Sequence, residues 1–189
     1  PDRVLIMPTY CFTNNTTPSE GTKVSESWVL RAIDSNDDTN HGSPLRVRAV
    51  PTPTYKPVCK PPGILTTLTA GMTVTAAKLR LYNEQGNNLT FQAYRILRNW
   101  TDSGVRWSEW SAGNTWTTAG ATDATDVSTT LSGSYVATGG VAQYLTLEGA
   151  QLIADIQAMI DGSVSNYGWI VLATTDSGSN NITQNAGTD

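Results

Sequence analysis

Long apolar runs, basic charge, cysteine and histidine are all scarce in this chain, and each shortage removes a class of function. The longest apolar stretches, Val4-Leu5-Ile6-Met7 and residues 169–173, fall far short of the ~18 residues a membrane-crossing helix needs. The reading therefore expects no membrane partner. Asp and Glu number 16 against 12 Lys and Arg, a net charge of −4. Such a balance offers no basic field to a phosphate backbone, so nucleic acid is not expected either. Two cysteines, Cys11 and Cys59, and one histidine, His41, are too few for a structural zinc site. A Cys11–Cys59 bridge would close a long loop worth roughly 4 kcal/mol. Two separate thiols are the simpler reading. No charged segment leading into an apolar one opens the sequence, so no export signal is expected.

Catalytic signals are equally thin. Carboxylates such as Asp102 and Glu109 are present, but nothing in their spacing sets them across a cleft. There is no phosphate-cradling glycine loop. The reading expects a protein that is not an enzyme and carries no cofactor.

What is abundant is threonine: 28 of the 189 residues, beside 16 glycines, while Lys and Glu are few. Threonine's branched β-carbon suits a half-exposed pleated surface and disfavours helix. Six Trp and seven Tyr supply apolar area to bury, which argues against disorder. The expectation is an all-β domain with many turns.

Along the chain, residues 1–24 read as an arm in which Val4, Leu5, Ile6 and Met7 form a short strand. Residues 25–189 read as the domain. Trp28, Leu30 and Ala32 alternate as in a strand, and so do Leu45, Val47 and Ala49. Residues 51–63 hold five prolines, Pro51, Pro53, Pro57, Pro61 and Pro62. They read as a stiff surface crossing, excluded from central strands. Ala77, Leu79 and Leu81 mark a strand, with residues 89–97 as its expected hairpin partner. That partner's apolar face switches near Ala93 and Tyr94, which suggests a bulge. Residues 99–140 promise short strands at best. One segment departs from the β pattern. Leu152, Ile153, Ile156, Met159 and Ile160 recur at helical spacing, which places one short helix near residues 147–161. Thr146 is its expected cap and Gly162 its stop. Its apolar face is expected to be core.

Several pieces stand together in an order that resembles the DNRLRE family of jelly-roll domains, related to some alginate-type carbohydrate-binding modules. They are Asn40-His41-Gly42 with Leu45-Arg46-Val47, then residues 77–82 as Ala-x-Leu-x-Leu, then Trp100-Thr101-Asp102 with Val105-Arg106-Trp107. The last is Asn166-Tyr167-Gly168 ahead of an apolar strand. Residues 65–68 stand where the family has a further strand. The resemblance implies an antiparallel β-sandwich of jelly-roll type, with Trp100 and Trp107 in its core. The family also continues into one more strand than is found here. The unfilled sheet edge is expected to take the arm or another chain by strand addition.

Two residue sets remain as candidate sites. Trp110 and Trp116 lie in a Gly/Ser/Thr-rich stretch and are candidates for exposed sugar-stacking rings. Asp34, Asn36, Asp38 and Asn40 alternate like the first ligands of a calcium loop, but Thr39 and Leu45 stand where that loop needs Gly and Glu. A solvated turn is the better reading, and no metal is expected. The functional expectation is a structural component of a virus particle, of the phage kind. It would decorate or cement a capsid, or belong to a tail, in contact with its own copies or other virion proteins. The second reading is a carbohydrate-binding module, secreted or at a cell surface, that holds polysaccharide on its exposed tryptophans.

Overall fold

The protein is described by a computed structural model that covers residues 10–13, 22–25, 29–35, 38–41, 54–61, 63–83, 89–138 and 143–174. In chain order the strands begin with β1 (Tyr10–Thr13), β2 (Thr22–Ser25), β3 (Val29–Asp34), β4 (Asn40–His41) and β5 (Tyr55–Lys60). A single helical turn, α1 (Ile64–Thr67), leads to β6 (Leu79–Asn83) and β7 (Thr90–Ile96). The short β8 (Glu109–Ser111) and β9 (Asn114–Thr115) precede β10 (Val127–Val136) and β11 (Gln143–Leu147). Helix α2 (Ala150–Ile160) and β12 (Trp169–Thr174) complete the described elements. The molecule is mostly β, and its sheets are antiparallel apart from the parallel β1–β2 pair.

The main sheet has six strands in the order β10-β7-β12-β5-β3-β4. Side chains alternate between the two faces of a strand, and here both faces are buried. From β7, Phe91 and Ala93 enter one core, while Tyr94 and Ile96 enter a second. From β12, Trp169, Val171 and Ala173 join the first, and Ile170 and Leu172 the second. The first core is closed by Leu79 and Leu81 of β6, Leu145 and Leu147 of β11, and Leu152 and Met159 of α2. The second is closed by Trp100, Val105 and Trp116 from the largely irregular stretch between β7 and β10.

The apolar switch at Ala93 and Tyr94 is thus a change of core, made by a strand covered on both sides. The extra residues of the irregular pairing belong to β10, where the register shifts between Val127 and Leu131 and again between Leu131 and Gly133. The expected β6–β7 hairpin is not formed. β6 pairs with β11, Leu81 opposite Leu145, and its leucines meet Phe91 within the first core.

Three further expectations are corrected. Residues 55–60 are a strand inside the main sheet despite Pro57, which pairs with Ala32 on β3. The ladder to β12 stops at Val58, the residue after that proline. A residue without an N–H is tolerated where a ladder ends. The stretch after residue 99 is not limited to short strands, because β10 runs for 10 residues at the end of the strand order. Its Ser/Thr content suits a strand with one exposed edge. Residues 65–68 are not a strand, since most of them lie in α1.

The helix is found, but it starts late. Thr146 pairs with Arg80 in the β11–β6 ladder, and Glu148 bridges to Ser134. Both are held as strand, so the cap position falls to Gly149, with no side-chain cap. Leu152, Met159 and Ile160 are buried, and Ile156 is half-buried against the first core. Gly162 adopts a positive φ of 73° just past the helix, and its N–H reaches the Met159 carbonyl. The expected stop is therefore in place. Residues 4–7, residues 45–49 and Asn36 lie outside the described residues.

Candidate functional site

Among the described residues, four tryptophans and several ionisable groups gather in the layer formed by residues 97–127 over the second core. Irregular chain leaves backbone N–H and C=O groups without ladder partners, and buried ones must be satisfied. Side chains supply many of those bonds here. Asp126 is fully buried. Its carboxylate accepts the backbone N–H of Thr117 at 2.7 Å and of Thr118 at 3.4 Å. It also takes the Thr117 hydroxyl at 3.1 Å and the Arg98 Nε at 2.9 Å. One buried carboxylate thus ties residues 117–118 to the start of β10. Asp123 adds a local turn, accepting the Thr125 amide and hydroxyl. Those bonds, the backbone one foremost, lower its pKa.

The tryptophans act as donors to the same layer. Trp100 is 1% exposed and gives its indole N–H to the Tyr167 carbonyl at 2.7 Å. Trp116 is 3% exposed and bonds the Arg106 carbonyl at 2.9 Å. Trp107 and Trp110 are half-buried against the second core. Trp100 is therefore core, as the resemblance implied, and Trp107 is partly so. The sugar-stacking assignment of Trp116 is corrected. Its ring fills the space between layer and sheet, because an irregular cover needs large side chains to reach the core. Trp110 keeps part of its surface in solvent from within β8.

From the sheet side, two lysines meet the layer. Lys56 and Lys60 flank Val58 at alternate positions of β5 and share its face. Lys56 Nζ lies 5.1 Å from the Trp107 ring centre and donates to the Gly120 carbonyl at 2.6 Å. Lys60 Nζ lies 4.8 Å from the Trp100 ring and donates to the Trp100 carbonyl at 3.1 Å. Burial lowers the Lys56 pKa to about 8. Burial also lowers that of Lys60, against the opposing field of Asp102. Gly120 has a φ of 81°, and a Cβ there would run into the Trp107 ring. The turn beside Lys56 therefore requires glycine.

A second junction sits at Asn166-Tyr167-Gly168. Asn166 donates to the Pro61 carbonyl at 2.7 Å and accepts the Gly168 N–H at 3.2 Å. Gly168 has a φ of 71°, and a Cβ at this position would collide with the Cys59 carbonyl. This short motif fixes the entry of β12 against β5. Cys59 itself is a free, buried thiol whose pKa burial pushes up to about 12.

The remaining candidates fall into place around the layer. Asp102 pairs with Arg31 at 2.8 Å, and Glu109 with Arg106 at 3.5 Å. Each carboxylate thus faces its own arginine. Asp34 is buried at the end of β3, and Asn40 pairs through its backbone with Ile33. Asp38, at a φ of 50°, accepts the Ser108 amide and hydroxyl. Its carboxylate is directed to the layer. Among the described residues no group of three or more His, Cys, Asp or Glu side chains could hold a metal ion.

Asp126, Lys56 and Lys60 were not singled out from the sequence. The Lys-x-Val-x-Lys alternation was a usable signal, hidden by the surrounding prolines. Asp126 had none, since its backbone and side-chain partners are brought to it by irregular chain that no periodicity marks. Compared with protein-family models, curated proteins and solved structures, the chain matches none. The DNRLRE resemblance accordingly rests on its quoted motifs.

Proposed function

We propose that this chain is a non-catalytic structural component of a virus particle, of the phage kind, that assembles with its own copies or with neighbouring virion proteins. The proposed frame is a β-sandwich of jelly-roll type, in which the β6–β11 pair and the six-stranded sheet are the facing layers. The observation that carries the reading is how the tryptophan-rich layer uses its polar groups. Asp126 binds the layer's own backbone, Trp116 donates to the Arg106 carbonyl within it, and Lys56 reaches from the sheet beneath to the Gly120 carbonyl. A reaction centre or sugar platform turns such groups outward. An edge strand supports assembly. β10 ends the strand order; Ser134 is bridged to Glu148 on its outer side, and the stretch with the exposed Thr129 and Thr130 is the proposed edge for another strand. Residues 1–24 are the proposed second contact.

Light scattering on the purified chain tests this reading. The expected mass is a multiple of the 20.3 kDa chain, reduced when residues 1–24 are deleted. A strict monomer that binds polysaccharide, and loses that binding in Trp110→Ala, would replace it with the carbohydrate-module reading. An assembled mass that ignores the deletion would remove the arm from the account.

A further inference from the structure

Between α1 and β6 the chain crosses the surface without regular structure, from residue 69 to residue 78. It begins with a tight turn in which the Met72 N–H bonds the Thr69 carbonyl at 3.1 Å and Gly71 sits at a φ of 91°. Most of its residues are exposed, Met72 by 38%. Beyond the turn, one side chain of α2 grips the segment from both ends of its amide. Gln157 Oε1 accepts the Val74 N–H at 2.8 Å, and Gln157 Nε2 donates to the Met72 carbonyl at 3.0 Å. In extended chain, the C=O of one residue and the N–H two residues on point to the same side. Gln157 therefore bonds this segment as a neighbouring strand would, with one side chain in place of a ladder.

We propose that residues 69–78 form a strap that lifts from α2 as a unit, with the Gln157 amide as its latch. Local opening is governed by how few bonds and buried contacts must be given up. Most of the strap's residues are exposed, and at its far end Lys78 pairs with the exposed Glu148 at 3.8 Å. The opening has a structural consequence. Ala77 of the strap and Leu68 just before it pack against the first core. Lifting the strap takes Ala77 out of that packing and uncovers apolar surface of the core. The latch also has a fixed partner that keeps it aimed, because Gln157 Nε2 lies 3.1 Å from the Asp161 carboxylate. The device is a property of the fold and stands whether or not the chain assembles.

Amide hydrogen exchange on the full chain tests it. In the parent, the Val74 amide is expected to exchange by local opening, faster than the paired amides of β7 and β12. Gln157→Ala should speed Val74 exchange by roughly tenfold or more while leaving β7 and β12 unchanged. Gln157→Glu keeps the acceptor for Val74 but loses the donor to Met72, and should fall between the two. It also serves if the alanine variant does not fold. Thermolysin should cut the native chain within the strap, and faster in either variant. Exchange of Val74 only by global unfolding, or strap rates indifferent to both substitutions, would overturn the latch.

Discussion

The two faces of the six-stranded sheet are covered by different means. On one, a strand pair and a helix lie over Phe91, Ala93 and Val171, and these elements satisfy most of their own backbone. Their contribution is aliphatic burial, at about 25 cal/mol per Å² of apolar surface removed from water. A buried carboxylate appears there too, since Asp155 of α2 takes Arg95 Nε at 3.2 Å and the Ser132 hydroxyl at 2.6 Å. It joins helix to sheet through side chains. On the other face, mostly irregular chain lies over Ile33, Ile96 and Ile170. That cover holds its shape through Asp126, two indole donors and two lysines. The lesson is that a sheet can be closed by irregular chain when polar side chains do the work of a ladder. Such a cover should then fail through single polar residues.

The largest expected effect follows from that contrast. Asp126→Ala removes a fully buried acceptor from two backbone N–H groups, the Thr117 hydroxyl and the Nε of Arg98, which keeps only its threonine hydroxyls. It should cost about 3–5 kcal/mol in urea unfolding, with loss of near-ultraviolet tryptophan signal. A cost under about 1 kcal/mol would break the comparison. On the opposite face, Leu152→Ala should cost about 2–5 kcal/mol by leaving a cavity beneath α2. The two substitutions lie on opposite faces, so their costs should add to within about 0.5 kcal/mol. Strong coupling would show that the covers do not act independently.

A smaller effect concerns Lys56, whose pKa is near 8 in the folded chain against 10.5 when solvated. Between those values the unfolded chain binds more protons, so stability should rise with pH, by at most about 1.4 kcal/mol per unit. The Cys59 thiol acts the other way above pH 9, the value from which burial raises it. There the unfolded chain gives up the thiol proton first, and stability falls. From pH 8 to 9 the lysine acts strongly while the thiol has only begun to ionise, and Lys60, whose pKa burial also lowers, adds in the lysine's direction. Thermal melts of the parent should rise across this interval, and those of Lys56→Met should rise less.

The same contrast explains what could be read from the sequence. Leu79 and Leu81, or Leu152 with Met159, carry one-sided periodicities because regular elements cover them, and both elements were legible. β7 feeds two cores, so its alternation reads as a fault in one strand. β5 was hidden by Pro57, whose tolerance depends on where the β12 ladder ends, a long-range fact. Trp116 sits among Gly, Ser and Thr, which locally signals exposure. Only the sheet beneath it makes it core. β6 pairs with the distant β11, Leu79 opposite Leu147 and Leu81 opposite Leu145, which no local pattern expresses.

Backbone exchange at Thr117 and Thr118 probes the irregular cover most directly, because their N–H groups depend on the Asp126 carboxylate. Their amides should be protected nearly as well as those of β7 in the parent, and exposed selectively in Asp126→Asn. Exchange at the rate of a free surface loop in the parent protein would contradict the account.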